Sequence, residues 1–147
     1  MAKNSSIDSY IDMVEGYFEK LPALPKNAQS SIVSITPWLA LIFGILGVAT
    51  ALVGLGVFTF LAPLALLTGI RSTGQGFIIV ILGLVSSLFL LASFPGAQKR
   101  QEKGWRFIYY SQVVSLVADV VTLSLSGVIF SLIGFYFIYQ IRGYFKK

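Results

Sequence analysis

The chain has 147 residues, of which 56% are hydrophobic and 12% charged, and its mean hydropathy is +0.82. This composition supplies too little polar surface for a soluble domain and predicts a membrane protein. The net charge of +5 comes from cations beside apolar segments, which favours a cytoplasmic membrane flank over nucleic-acid binding. Cysteine and histidine are absent from the sequence, which excludes disulfides, thiolate catalysis and soft-metal ligation.

The amino-terminal residues predict an amphipathic helix that precedes the membrane. Apolar side chains recur at helical spacing from Ile7 to Leu21, and Pro22 ends the pattern. The opposite side carries four acids: Asp8, Asp12, Glu15 and Glu19. Because a helix that binds anionic lipid is rich in Lys and Arg, we expect this one to dock on a protein surface. We assign residues 1–35 to this helix and its connector, which includes a short second helix from Pro25, and residues 36–147 to a membrane bundle.

No charged residue occurs between Lys26 and Arg71, and this run is roughly twice as long as one crossing of a ~30 Å hydrocarbon layer requires. Pro37 and Trp38 mark the entry of the first span into the membrane. Small residues then recur on one narrow stripe of this helix, and they predict a helix-packing seam. The seam consists of Ala40, Gly44, Gly47, Ala51 and Gly54.

The second part of the run is ambiguous. Gly54-Leu55-Gly56 predicts a break, and residues 57–69, interrupted by Pro63, are fewer than the ~17 that a span usually needs. We interpret them as a half-length, re-entrant or interfacial segment, with a short kinked crossing as the alternative. Residues 71–76 predict a turn by composition. Phe77 to Phe94 is a clear span, which Pro95-Gly96 ends.

Two more spans form a hairpin at the carboxyl end. Residues 107–123 and 125–142 are joined around Ser124 by too few residues for anything but an antiparallel pair. We expect their aromatic residues near Trp105 and Tyr139 to form a girdle at the membrane interface. The loop 95–106 carries four cations and one acid, which is a cytoplasmic signature.

The distribution of cations favours an even number of crossings. With four crossings, all of the 11 Lys and Arg residues except Arg71 are cytoplasmic, whereas five crossings move the amino-terminal lysines outside. The predicted fold class is therefore all-α. It is an integral membrane helical bundle of four spanning helices plus one half-length or re-entrant segment, preceded by an amphipathic amino-terminal helix. Five spans are the alternative, and the loop 95–106 and the carboxyl terminus are predicted to be cytoplasmic.

Asp119 is the only ionisable residue well inside a predicted span. It belongs to a polar stripe within about 100° of one helix face: Ser111, Gln112, Ser115, Asp119 and Thr122. A charge that faces lipid costs at least ~2.5 kcal/mol near the helix centre, so the stripe must face protein or water. Asp119 then belongs to an ion or proton path, or it is a structural carboxylate; the lack of a second intramembrane acid favours the structural role. Since Arg71 and Ser124 lie at the same membrane face in both topologies, we predict an ion pair between Arg71 and Asp119.

The inventory of side chains argues against an enzyme. An aspartyl protease needs two carboxylates at one site, and a serine hydrolase needs a base that no span supplies. The phosphate-binding pattern Gly-x-x-x-x-Gly-Lys-Ser/Thr is absent from the sequence. We therefore predict a protein that is not an enzyme and that uses no metal and no cofactor.

Several short motifs resemble those of a group of bacterial proteins. Leu24-Pro25 precedes Pro37-Trp38, Gly54-Leu55-Gly56 interrupts a span, and Gly104-Trp105 opens a helix. Gly134-Phe135-Tyr136 runs into Gln140-Ile141-Arg142. In these features the chain resembles uncharacterised small polytopic membrane proteins of bacteria, for which no activity is known. The resemblance implies a bacterial cytoplasmic (inner) membrane and supplies no site.

Two hypotheses for function follow from the sequence. The first is a structural or accessory membrane protein that associates with itself or with a larger membrane complex through the small-residue seam and the amphipathic helix. The second is an oligomeric channel or a small-solute or ion carrier whose path is lined by the Asp119 stripe. The predicted partners are the lipid bilayer and either further copies of the chain or a larger complex, and nucleic acid is not among them.

Overall fold

A computed structural model describes the backbone of residues 5–68 and 70–145, and the side chains in these ranges except those of residues 5, 65, 66, 68 and 70–73. The described residues form helices joined by short turns and contain no strand. The helices are α1 (Ser5–Phe18), α2 (Lys26–Thr68), α3 (Ile70–Gln98), α4 (Glu102–Val121) and α5 (Leu125–Ile141), and a 3-10 turn over Arg142–Phe145 follows α5. The all-helical prediction is confirmed for these residues.

Three of the described helices are long and apolar enough to cross a membrane. The candidate segments are Lys26–Leu64, Gly74–Gln98 and Leu125–Phe145. α4 has 20 residues, enough to span, but it carries four charged residues in the sequence and does not reach the same apolar character. The structure therefore agrees with a helical membrane protein.

α2 is one continuous helix of 43 residues, and this corrects three local predictions. The segment from Pro25 is the first part of α2 rather than a separate short helix, and Gly54-Leu55-Gly56 does not break α2. Residues 57–68 continue it past Pro63 and are not a separate half-length or re-entrant segment. Glycine in a helix costs about 1 kcal/mol relative to alanine, which is less than leaving backbone groups unpaired in lipid. The predicted domain boundary between residues 35 and 36 consequently falls inside α2.

α3 begins at Ile70 and is helical through residues 71–76, so the predicted turn over these residues is wrong. These residues form the first turns of α3, which runs antiparallel to α2. Gly76 lacks a side chain where the ring of Phe58 in α2 lies against α3, and a methyl group there would overlap that ring. Its glycine therefore serves close helix packing rather than a turn.

At the other end of α3, the helix continues through Pro95-Gly96 to Gln98 and meets α4 at a very close crossing. A Cβ atom built on Gly96 would lie 2.7 Å from the backbone nitrogen of Gly104. A Cβ atom on Gly104 would overlap the backbone of Gly96 and Ala97. Two glycines therefore bring the backbones of α3 and α4 into direct contact at the start of α4.

The helices pack in chain order, with α2 against α3, α3 against α4, and α4 against α5. α1 lies at one end of this row, where it contacts the start of α4 and the end of α5. The core is concentrated at the same end. It contains Ile11 of α1, Val33 of α2, Ala97 of α3, and residues of α4 and α5. The α3–α4 turn, the carboxyl end of α5 and the docked α1 thus share one end of the bundle.

Candidate functional site

An aromatic core lies beneath α1, and it consists of Trp105, Tyr109, Phe135, Tyr139 and Phe145. Trp105 is 2% exposed and Phe145 is 1% exposed. The Trp105 Nε1 group donates a hydrogen bond of 2.8 Å to the carbonyl oxygen of Ile138, so its polar atom is satisfied inside the core. The prediction of a girdle facing the membrane interface is wrong for Trp105, Tyr109, Tyr139 and Phe145, because α1 and the crossing of α3 with α4 enclose them.

Arg142 anchors α1 to this core through charge and stacking together. Its guanidinium lies over the Trp105 ring, with 5.2 Å from Cζ to the ring centroid. Both terminal nitrogens donate to Asp12 at 3.0 Å, and one of them also pairs with Glu15. One cation at the end of α5 therefore holds two acids of α1 above a buried aromatic ring.

Arg106 makes the corresponding contact at the amino end of α1. It donates to Asp8 at 2.9 Å and to Glu102, one turn earlier on α4, at 3.0 Å. The hydrogen bond with Glu102 raises the pKa of Arg106, and the negative charges of Glu102 and Asp8 raise it further, while burial opposes them. Its positive charge is therefore maintained at every pH at which a protein stays folded.

Apolar contacts complete the docking of α1. Ile11 is 2% exposed and packs with Val33, and the Phe18 ring stacks on Tyr139 with centroids 5.3 Å apart. The Tyr139 hydroxyl donates to the carbonyl oxygen of Ile11 at 3.3 Å. The protein surface on which the amphipathic helix docks is thus the end of its own bundle.

The predicted polar stripe of α4 faces the interior in two directions. Ser111 and Ser115 turn toward α3, where the Ser86 hydroxyl lies 2.8 Å from the Ser111 hydroxyl and 2.9 Å from the Ser115 hydroxyl. Gln112 and Asp119 turn toward α5 instead. Thr122 is exposed, and its hydroxyl donates back to the carbonyl oxygens of its own helix. Sequence reasoning found the stripe but not its division between two neighbours.

Ser131 of α5 is the partner of Asp119 in the structure. Its hydroxyl donates to Asp119 Oδ2 at 2.6 Å, and its carbonyl oxygen accepts a hydrogen bond of 3.0 Å from Gln112. Gly127 lies directly against the Asp119 carboxyl group, where any side chain would collide with it. The predicted pair of Arg71 with Asp119 involves an Arg71 side chain that lies outside the described residues, and it stays a prediction.

A cavity of about 280 Å³ opens beside Asp119 between α3 and α4. Its polar lining consists of Ser86, Ser87, Ser115 and Asp119, and Ile79 and Gly83 belong to its apolar wall. A cavity of this size has room for several water molecules. Among the described residues, no group of three or more Asp, Glu, His or Cys side chains could hold a metal ion.

The small-residue seam of α2 faces α3. Ala40 and Ala51 are buried, and side chains at the glycine positions would meet residues of α3: Leu91 at Gly44, Ser87 at Gly47 and Val80 at Gly54. Beside this contact a groove of about 450 Å³ stays open. Gly83 of α3 lines it, and no other described atom lies within 4 Å of a Cβ built at Gly83.

Sequence reasoning missed Arg106 and Arg142 as the partners of the amino-terminal acids. The available signal was the acidic face of α1 together with an excess of cations at the far end of the chain, but periodicity does not say which charges meet. Comparison of the chain with protein families, with curated proteins and with solved structures found no match.

Proposed function

We propose that α2, α3, α4 and α5 each cross the membrane, with the α3–α4 turn and both ends of the chain on the cytoplasmic side. The ion pairs of Arg106 and Arg142 with α1 support this arrangement, because they join the amino-terminal helix to the end of the bundle that also carries the carboxyl terminus. An even number of crossings follows. The excess of cations at this end supports a cytoplasmic orientation, and the resemblance to bacterial proteins favours the bacterial inner membrane.

The topology is tested with single cysteines, because the chain contains no native cysteine that interferes. Ser6→Cys lies on α1, and Ser126→Cys lies in the α4–α5 hairpin turn. In right-side-out cells, a membrane-impermeant maleimide should label the thiol at position 126 and should reach the thiol at position 6 only after lysis. Labelling of both positions in intact cells would refute the four-crossing arrangement.

The function that we propose is that of a non-enzymatic accessory protein of the membrane, which binds a spanning helix of a second copy or of a larger complex. The observation that carries this proposal is the open groove between α2 and α3. Gly83 of α3 lines it with open space at its Cβ position, beside Gly47, Ala51 and Gly54, which pack against α3, so another helix backbone can approach closely at Gly83. Association of helices in lipid depends on such close packing, since lipid tails are as apolar as leucine.

Two glycines of the chain provide a matched test of the groove. Gly83→Leu fills the groove, whereas Gly56→Leu places the same side chain on α2 outside the residues that line it. A Cβ atom built at either position meets no described atom within 4 Å. Native mass spectrometry from detergent should show an assembly larger than one 16.0 kDa chain for the wild type and for Gly56→Leu, and the monomer for Gly83→Leu. The masses identify the occupant, and a monomeric wild-type protein would refute the proposal.

A second candidate function is favoured by the cavity beside Asp119. An oligomeric channel or a small carrier would use this carboxylate and the three neighbouring serines as the polar lining of its path. In liposomes, Asp119→Asn should abolish the flux of a small cation or of protons, because it removes the charge while it retains an oxygen that can accept from Ser131. Unchanged flux after this substitution would eliminate the candidate.

A further inference from the structure

α1 carries a second apolar surface that its docking on the bundle does not cover. Ile11 and Phe18 pack inward, but the next residues around the helix point away from the bundle. Tyr10 is 65% exposed and Tyr17 is 70% exposed. The surface as a whole, which we term the outer stripe, consists of Tyr10, Met13 and Tyr17 of α1 and of Leu21, which follows the helix. Exposed aromatic and apolar side chains at helical spacing require an explanation beyond the docking of α1 itself.

The acids of α1 and the outer stripe lie on opposite flanks of the inward face. At about 100° per residue, Asp8, Asp12 and Glu15 lie on one side of Ile11 around the helix axis. Tyr10 and Tyr17 lie on its other side. The acidic flank points toward Arg106 and Arg142. α1 thus presents one charged edge to the cations of the bundle and one aromatic edge away from them.

Contacts with α5 fix the height of α1 along the bundle. Phe18 stacks on Tyr139, and the Tyr136 hydroxyl donates to the carbonyl oxygen of Pro22. These tyrosines precede Arg142 by three and six residues, so the carboxyl end of α1 lies about 5–9 Å inside the end of α5. The carboxyl end of α1 therefore lies beside the last turns of α5.

The exposed Trp38 of α2 lies at a comparable height. It packs on Phe94 of α3 with ring centroids 6.0 Å apart, two residues before the Gly96 crossing with α4. The adjacent Trp105 is hydrogen-bonded to Ile138, between Tyr136 and Tyr139 on α5. Because exposed tryptophan in a spanning helix marks the headgroup level, the outer stripe lies at that level too.

We propose that the outer stripe of α1 binds the headgroup layer of the cytoplasmic leaflet, so that α1 lies between its own bundle and the membrane surface. Tyrosine rings suit this layer because they combine an apolar body with a polar hydroxyl. Lys20, whose Nζ lies 6.0 Å from the centroid of the Tyr17 ring, is placed to reach lipid phosphates. The inference rests on the proposed four-crossing arrangement, which supplies the adjacent membrane.

The test uses an environment-sensitive fluorophore on single cysteines of the full chain in nanodiscs that hold one copy. Tyr17→Cys reports on the outer stripe, with Tyr10→Cys as a second reporter. Glu19→Cys is the matched control, because Glu19 is also exposed at the same end of the helix but lies on its acidic flank. Ile133→Cys, exposed in the middle of α5, reports whether the bundle is inserted at all.

With a nitroxide lipid labelled at the headgroup, quenching at positions 17 and 10 should exceed quenching at position 19 by about threefold. A lipid labelled deep in its acyl chain should quench the position 133 probe. Absence of that quenching would overturn the membrane arrangement itself. If the probe at position 133 is quenched but positions 17 and 19 are equally exposed to water, only the inference about α1 is overturned. Shielding of position 17 that occurs only in nanodiscs with two copies would identify a second chain as the occupant and would likewise overturn it.

Discussion

Gly104→Ala tests the closest helix contact in the molecule. The added methyl group would overlap backbone atoms of Gly96 and Ala97, which cannot rotate away as a side chain can. To restore van der Waals contact, the ends of α3 and α4 must separate by about 1 Å. The separation strains the neighbouring aromatic core, where the Trp105 Nε1 group bonds the Ile138 carbonyl oxygen at 2.8 Å.

The expected magnitude is a balance of two effects. Overpacking of a rigid contact costs about 1–3 kcal/mol, and replacing glycine by alanine in a helix recovers up to about 1 kcal/mol. We expect a net destabilisation of roughly 1–2 kcal/mol for Gly104→Ala. The matched variant is Gly83→Ala, which meets no described atom within 4 Å and should stabilise the helix by about 0.5–1 kcal/mol.

The measurement is reversible unfolding in mixed detergent micelles, followed by far-ultraviolet circular dichroism. The two variants should differ by about 2 kcal/mol, which is a factor of about 30 in the unfolding equilibrium constant. The wild type should lie between them. If Gly104→Ala were as stable as Gly83→Ala, the close approach of α3 and α4 would be wrong.

Substitutions at Arg142, Ser86 and Asp119 probe the docking of α1 and the polar interior. Arg142→Gln should weaken α1 docking by about 1.5 kcal/mol and speed proteolysis of the connector after α1 about tenfold, whereas Lys103→Gln should not. Ser86→Ala should cost about 0.6 kcal/mol in the micelle unfolding assay, the usual value for an interhelical hydrogen bond. Asp119→Ala should cost about 1–2 kcal/mol by leaving the Ser131 hydroxyl without its acceptor, and Asp119→Asn, which keeps an acceptor, should cost less.

Each of these expectations has a contrary outcome. Equal proteolysis of Arg142→Gln and Lys103→Gln would show that Arg142 does not hold α1. An unfolding free energy unchanged by Ser86→Ala would mean that hydrogen bonds to water replace those between the serines of α3 and α4 at no net cost. Equal losses from Asp119→Asn and Asp119→Ala would show that the charge itself, which both substitutions remove, stabilises the bundle, as it would if a cation such as Arg71 pairs with Asp119.

The sequence was sufficient to predict elements with strong local signals. The amphipathic pattern of α1 and the stop at Pro22 place that helix within a few residues of its observed bounds, Ser5–Phe18. The short link at Ser124 predicts the α4–α5 hairpin, because two helices joined so closely must run antiparallel. In the structure Asp119 and Ser115 of the stripe contact Ser131 and Ser86, whereas Thr122 is exposed.

Two features depend on tertiary contacts that local patterns do not contain. Gly54-Leu55-Gly56 and residues 71–76 have the composition of breaks, yet both segments are helical, and Gly54 and Gly76 lie in the contact between α2 and α3. The aromatic residues near Trp105 have the composition of an interface girdle, but they are enclosed once α1 docks over them. In the first case the local preference against a helix is about 1 kcal/mol per glycine.

The length of α2 connects the fold to the proposed association. Counted from Trp38, about 20 residues are enough to cross a hydrocarbon layer and bring α2 to Phe58, but the helix continues to Thr68. Phe60 is 87% exposed in this extension, so its surface is as apolar as the part within the bilayer. α4 and α5 extend less far than α2 and α3 at this end of the bundle. Asp119, near the end of α4, lies level with Ile79, and Ile79 is about 13 Å from the start of α3. The α2–α3 hairpin is therefore longer than the bilayer that suits α4 and α5. Tilting, local thickening of the bilayer or association with other helices relieves such a mismatch. The open groove lies on this same hairpin. A partner that binds there would bury the small residues of the groove, and the same association would reduce the mismatch.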